Sequence, residues 1–265
     1  MTAAALVLGG LALCAGLAFA LRGGLRSYRR TRVIGLDPGG LVMSGIAVAV
    51  AMYLFGPLFG LALTLVVVLH EFGHVAAFRA IGHADARFRL IPLLGGVAIS
   101  DRAPDTPAKA AFVTLMGPAI GLGPMLVAYG LAPWASTVDP NLGLFLVTFA
   151  TVAGALNLLN LLPVWPLDGG RLAGLVGGAF WPPLPMLIGA ASVAALTILA
   201  IVAKSLILGV LAIIGLQNLI VHGADEMRAP GRQMPRRQAV LVLAAWAATA
   251  ATLFAGGLPL IQRVL

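Results

Sequence analysis

The sequence predicts an all-α, polytopic membrane protein with about 6–8 transmembrane helices. Hydrophobic residues make up 60% of the 265-residue chain and charged residues only 10%, against roughly a quarter charged in soluble domains. Apolar runs of about 20 residues, long enough to cross the hydrocarbon core, follow one another with short polar gaps. Stretches such as 58–69 are apolar on every side, which favours helices over the alternating strands of a barrel.

The apolar runs define the order of the elements. We expect spans near residues 3–21, 41–56, 58–78, 110–131, 143–163, 185–203, 205–221 and 239–256. The segment near residues 88–100 is too short to span the membrane and too apolar for a solvated loop, so a short membrane-associated β-hairpin is expected there. The predicted parts are an N-terminal anchor with a basic loop (1–40), a membrane core (41–175) and C-terminal helices (176–265).

The basic residues indicate the orientation. If the N-terminus lies outside, 15 of the 17 Lys and Arg residues fall in inner loops, as cytoplasmic loops prefer. The net charge of +8 is then explained by topology and by the lipid bilayer, and not by nucleic acid. No Lys or Arg precedes the first span, so an uncleaved anchor is favoured over a secretory signal peptide.

The third apolar run contains the pattern His70-Glu71-Phe72-Gly73-His74. Positions i and i+4 share one face of a helix, so both imidazoles can reach one metal ion while Glu71 holds a water molecule beside it. Such polar groups inside an apolar span cost several kcal/mol unless they are paired or ligated. A buried polar network between helices, or a proton relay of a transporter, is the alternative. The lone Cys14 excludes a cysteine zinc site.

A third ligand is suggested by a second apolar segment. Among the nine acidic residues, only Glu71 and Asp168 have predominantly apolar surroundings. Pro163 and Pro166 break the fifth span shortly before Asp168, so irregular chain lining a polar cavity can present its carboxylate. In the predicted topology this segment and His74 lie at similar depth near the inner side. A helix cap, or an ion pair with the nearby Arg171, is the alternative for Asp168.

The two motifs in this order resemble the site-2 protease family of intramembrane zinc metalloproteases. The resemblance covers roughly residues 41–175, with Gly95-Gly96 and Gly117-Pro118 as weaker similarities. It rests on the His70–His74 pattern and on the sequence Asn160-x-x-Pro163-x-x-Pro166-Leu167-Asp168-Gly169-Gly170. It makes 41–175 a site-2-protease-like catalytic core.

The resemblance implies one Zn²⁺ ion per chain, held by His70, His74 and Asp168, with Glu71 as general base and proton shuttle. It also implies a role for an asparagine in binding substrate or the oxyanion. The family commonly has Asn three residues after the Pro of Gly117-Pro118, and this chain has Gly121 there. That role is therefore expected to pass to Asn160 or Asn157.

The expected function is regulated intramembrane proteolysis, with a membrane-protein substrate such as a transcription regulator or its inhibitor. There are two alternatives. A membrane-tethered zincin is disfavoured because that class uses a Glu as its distal ligand, and no Glu other than Glu71 precedes Glu226. The other is a non-proteolytic metal-binding or transport homologue with the same His/His/Asp site. The Ala, Gly, Leu, Val and Arg bias indicates a GC-rich bacterial genome, which would place the protein in the plasma membrane. The site is expected nearer the cytoplasmic side. His83 and His222 are expected to be solvated loop residues, and the oligomeric state is not indicated.

Overall fold

The computed structural model describes residues 2–25, 38–91, 95–221 and 233–264. The helices are α1 (Ala3–Ala20), α2 (Arg22–Leu25), α3 (Pro38–Phe55), α4 (Pro57–Ala80), α5 (Pro107–Ile120), α6 (Leu122–Val138), α7 (Pro140–Asn160), α8 (Asp168–Gly178), α9 (Leu184–Val202), α10 (Leu206–Val221) and α11 (Arg236–Val264), and the strands are β1 (Arg87–Ile91) and β2 (Gly95–Ile99). Several residues assigned to inner loops lie outside the described residues: Arg26, Arg29, Arg30, Arg32, His222, Arg228 and Arg232.

The predicted fold class is confirmed. Within the described residues, six helical stretches are long and apolar enough to cross a membrane: 3–20, 57–80, 107–138, 140–160, 184–202 and 236–262. The predicted spans at 41–56 and 205–221 correspond to α3 and α10, of 18 and 16 residues. The predicted span at 110–131 is longer than expected, because α5 and α6 follow each other with only Gly121 between them.

The predicted hairpin is also present. Strands β1 and β2 pair antiparallel, from Arg87 opposite Ile99 to Ile91 opposite Gly95. The hairpin packs beside α3 and α4. It therefore lies next to the helix that contains the His70–His74 pattern.

The chain forms two compact units. The first consists of Met1–Arg102, Met116–Leu158 and Thr249–Leu265, and the second of Ala103–Leu115 and Leu159–Ala248. The three-part division drawn from the sequence stays a prediction.

Small residues bring the helices of the first unit close together. A Cβ atom at Gly123 of α6 would lie 2.4 Å from the Cys14 sulfur of α1, and one at Gly154 of α7 would lie 2.3 Å from the Gly257 nitrogen of α11. Glycine at these positions lets helices approach closely, which is how membrane helices gain packing energy without a hydrophobic driving force. The Tyr129 hydroxyl adds a hydrogen bond to the Gly256 carbonyl.

The second unit contains α8, α9 and α10, in which α9 packs against both neighbours. Trp165, in the irregular chain before α8, is buried. The Trp246 indole N–H donates to the Leu161 carbonyl over 3.0 Å. This bond satisfies a carbonyl that follows the end of α7 and has no helical partner of its own.

Candidate metal centre

Helix α4 provides the first part of the candidate site. Pro57 starts the helix after Gly56, whose φ of 86° suits glycine. The buried positions then recur at helical spacing, including Ala62, Val66 and His70. His70, Glu71 and His74 are only 6%, 7% and 8% exposed. The i, i+4 spacing therefore places both histidines on the packed face of an apolar helix, as the sequence predicts.

The Nε2 atoms of the two imidazole rings face each other. His74 Nε2 lies 3.1 Å from His70 Nε2, and the rings meet at 80° with centroids 4.8 Å apart. Two zinc–nitrogen bonds of about 2.0–2.1 Å would span this separation at an angle of about 100°, near the tetrahedral value. The histidine pair thus fits a zinc ion by both atom type and spacing.

A close helix contact leaves little room beside His74. A Cβ atom at Gly117 of α5 would lie 2.2 Å from His74 Nε2, and one at Gly73 of α4 would lie 2.4 Å from the Met116 carbonyl oxygen. A larger residue at either position would therefore clash with its neighbour. Gly117 leaves the His74 nitrogen unobstructed, a role that the sequence indicated only as a weak similarity.

Asp168 is positioned by a compact turn at the start of α8. Leu167 has extended backbone angles and caps the helix, so Asp168 is its first residue, where a carboxylate interacts favourably with the helix dipole. A Cβ atom at Gly169 would lie 2.1 Å from the Leu161 carbonyl oxygen, and one at Gly170 would lie 2.5 Å from the Trp165 nitrogen. Glycines thus allow the turn to fold tightly onto the helix start.

The three predicted ligands come together. His70, His74 and Asp168 each offer a ligand atom, and these atoms lie within 4.8 Å of one another. Two neutral nitrogens and one carboxylate oxygen are a donor set that zinc accepts. These residues form a group that can hold a metal ion.

Asn157 of α7 contacts the same group from another side. Its side chain is 1% exposed, and its Oδ1 atom lies 2.7 Å from His70 Nδ1. Its Nδ2 atom donates to the Ala153 carbonyl over 2.9 Å. From the sequence, Asn157 is expected only as a residue for substrate or oxyanion binding. It lies 87 residues after His70 along the chain. Asn160, the other candidate, is the last residue of α7.

The expectation that His83 is a solvated residue is wrong. His83 is 3% exposed, and its Nδ1 atom lies 2.9 Å from the Ser100 hydroxyl. That hydroxyl donates to Asp85 over 3.0 Å, and the Asp101 backbone N–H donates to the same carboxylate over 2.6 Å. These bonds, which we call the hairpin clasp, join the chain after α4 to the end of β2.

The charges of the hairpin clasp lie outside the predicted spans. The backbone N–H of Asp101 lowers the pKa of Asp85 below its ordinary value, because this hydrogen bond favours the ionised carboxylate. Arg87 pairs with Asp101 at 2.8 Å and lowers the pKa of that carboxyl as well. The clasp is thus most stable with both carboxylates ionised.

Fold and site together define a polytopic membrane protein with a buried His/His/Asp group that can hold a metal. The chain is 34% identical over 113 residues to the Stage IV sporulation protein FB of Bacillus subtilis. The match covers 42% of this chain and 38% of that relative, so the chain aligns with about two fifths of the relative's length.

The site-2 protease of Methanocaldococcus jannaschii is a solved structure that is 20% identical, with a TM-score of 0.40 and coverage of 70% of this chain and 88% of that one. No family model matches the chain. The six apolar helical stretches of the described residues have the length and composition of a multi-pass membrane protein.

Proposed function

We propose that this protein is an intramembrane zinc metalloprotease that hydrolyses peptide bonds of membrane-embedded substrates in regulated intramembrane proteolysis. One observation carries the proposal: Glu71 is buried and directly follows the first of two histidines whose Nε2 atoms face each other. A site that only stores or transports a metal has no need of a carboxylate next to its ligands. A hydrolase needs one, because water must lose a proton as it attacks.

The proposed ligands are His70, His74 and Asp168, whose ligand atoms lie within 4.8 Å of one another. When bound there, zinc supplies a Lewis acid that polarises the scissile carbonyl and lowers the pKa of a water molecule towards about 7. Three protein ligands leave one position open for this chemistry. The negative charge of Asp168 partly offsets the cost of a divalent cation at an apolar depth.

Glu71 acts as general base and then as general acid. Its carboxylate takes the proton of the attacking water and returns it to the departing amine, so the amine leaves in neutral form. Such proton transfer typically contributes about 10²–10⁴-fold to the rate. Asn160 is proposed to position the substrate or to donate to the developing oxyanion, which preorganised donors stabilise.

The substrate is proposed to be a membrane-spanning segment, such as that of a transcription regulator or its inhibitor, that unwinds beside the site. His70 lies nine residues before Arg79, or roughly 13 Å along the helix at 1.5 Å per residue. If Arg79 marks the inner surface, the scissile bond lies submerged but nearer the cytoplasm. The proposed location is the plasma membrane of a bacterium.

A cleavage assay with Glu71→Gln tests the proposal. The wild type and the variant are purified in detergent, loaded with zinc and mixed with a membrane-embedded model substrate. We expect equal zinc content, cleavage by the wild type, and a rate at least about 100-fold lower for the variant, because the amide cannot accept the water proton. Equal zinc content excludes a folding defect as the cause.

The same preparations distinguish the alternative functions. A zinc-loaded wild type that cuts no substrate left intact by Glu71→Gln contradicts the protease proposal. Zinc uptake into proteoliposomes without any peptidase activity would instead support a transport homologue that uses the same ligands.

A further inference from the structure

We propose that Asn157 is a positioning residue that fixes the tautomer and ring orientation of His70, so that His70 Nε2 faces the metal. The inference rests on the proposed zinc site and adds a residue to it. It also assigns Asn157 a task other than contact with substrate. Hydrogen bonds at both ends of its side chain support this assignment.

The hydrogen bond to Ala153 fixes the orientation of the Asn157 amide. Its nitrogen lies 2.9 Å from the Ala153 carbonyl oxygen, and a carbonyl only accepts hydrogen bonds. The nitrogen must therefore point at Ala153, which turns the amide oxygen towards His70. The opposite assignment would place two oxygens against each other inside an apolar helix bundle, where an unpaired polar atom is costly.

The Asn157 oxygen determines which nitrogen of His70 carries the proton. The Asn157 oxygen lies 2.7 Å from His70 Nδ1 and can only accept, so Nδ1 carries the hydrogen. In neutral imidazole the other nitrogen then has the free lone pair. That nitrogen, Nε2, is the atom that lies 3.1 Å from His74 Nε2. The hydrogen bond thus directs the ligating lone pair towards the proposed metal position.

Gly121 leaves room for the Asn157 amide. A Cβ atom at Gly121 would lie 2.7 Å from Asn157 Nδ2, so any larger residue at position 121 would displace the amide. Gly121 is the position where the family resemblance leads us to expect an asparagine. In this chain the glycine leaves that space to Asn157. Glycine at position 121, where the family commonly has asparagine, therefore makes room for the Asn157 side chain that bonds to His70.

Zinc affinity, measured by competition with a chromogenic chelator, tests the inference without relying on activity. Asn157→Leu keeps the size of the side chain but removes the acceptor, and we expect about 10–100-fold weaker zinc binding, as is typical when a partner of a histidine ligand is lost. Asn157→Asp keeps an acceptor for Nδ1 but turns its second oxygen towards the Ala153 carbonyl, so its zinc affinity should lie between those of the wild type and Asn157→Leu. Gly121→Ala should weaken binding in the same direction as Asn157→Leu, because it displaces the amide.

A matched control is available in the same helix. Thr151 is buried, and its hydroxyl donates to the Val147 carbonyl four residues earlier, over 3.0 Å, much as the Asn157 amide donates to Ala153. Thr151→Val should leave zinc affinity unchanged. Cobalt absorption spectra should show a changed ligand geometry in Asn157→Leu and Gly121→Ala and an unchanged one in Thr151→Val.

The outcomes separate this inference from the proposed function. A wild type without zinc contradicts both. A zinc-binding wild type together with Asn157→Leu of equal affinity contradicts the positioning role alone. If Asn157→Leu does not fold, the comparison of Asn157→Asp with Gly121→Ala decides: equal losses in both would mean that Asn157 only packs the helices.

Discussion

Gly117→Ala is the substitution for which the structure gives the sharpest prediction. The new methyl group would lie 2.2 Å from His74 Nε2, 2.4 Å from Cε1 and 2.7 Å from Cδ2. Ordinary contacts begin near 3.4 Å, so the ring must move by about 1.2 Å or α5 must retreat. Metal–ligand distances tolerate only about 0.2 Å. We therefore expect His74 to be lost as a ligand.

The expected size of the effect follows from that loss. Zinc affinity should fall at least about 100-fold, or about 2.7 kcal/mol, and cleavage should fall with it. Overpacking itself costs about 1–3 kcal/mol of stability, so a control with the same steric defect is needed. Gly123→Ala provides it, because its methyl group would lie 2.4 Å from the Cys14 sulfur in the contact between α1 and α6.

Chelator competition and thermal unfolding in detergent are measured for both variants. Both should unfold at lower temperature, and only Gly117→Ala should lose zinc. Wild-type zinc affinity in Gly117→Ala would refute the steric argument, and equal zinc loss in Gly123→Ala would show that general helix packing controls the site.

Two further predictions concern the rest of the fold. The pKa of Asp85 lies below its ordinary 3.8, so its bonds to Ser100 and Asp101 stabilise the hairpin clasp above that pH and are lost as the pH falls through the lower folded-state value. Protection of the Asp101 amide, measured as its hydrogen-exchange rate relative to the intrinsic rate at each pH, should therefore fall under acid in the wild type, and Asp85→Asn should abolish that fall. Tyr129→Phe removes the bond to the Gly256 carbonyl and should cost about 1 kcal/mol, visible as a lower unfolding temperature with unchanged zinc content.

The parts of the site that depend on local spacing could be predicted from sequence. Helical periodicity alone puts His70 and His74 on one face, and α4 confirms it. The expectation that Asp168 lies near them needed two further inferences. The distribution of Lys and Arg residues indicated the topology, and the topology indicated that Asp168 and His74 lie at similar depth in the membrane. Its role as a ligand stays a prediction, as do the roles of Glu71 and Asn160.

The contacts that depend on how helices are rotated could not be predicted. Asn157 and His70 are 87 residues apart, and composition does not tell which face of α7 meets α4. The same holds for Gly117, whose place beside His74 follows from the close approach of α5. A glycine in an apolar span is compatible with many contacts, so its neighbour is known only from the structure.

His83 shows a different limit of sequence reasoning. A histidine in a short segment between spans is usually solvated, and here the hairpin clasp buries it. The hairpin was predicted from the apolar stretch near 88–100, but its strands hold Ser100 next to the chain after α4. Burial of the loop residue therefore depends on the pairing of two distant segments.

We propose that His70, His74 and Asp168 together hold one zinc ion that serves peptide hydrolysis. The most direct measurement is zinc per chain by elemental analysis of the detergent-purified wild type, His70→Ala and Asp168→Ala, with the wild type also tested for cleavage of a model membrane substrate. We predict one zinc per chain in an active wild type and loss of zinc in both variants. A wild type without zinc, or full zinc content in Asp168→Ala, would contradict it.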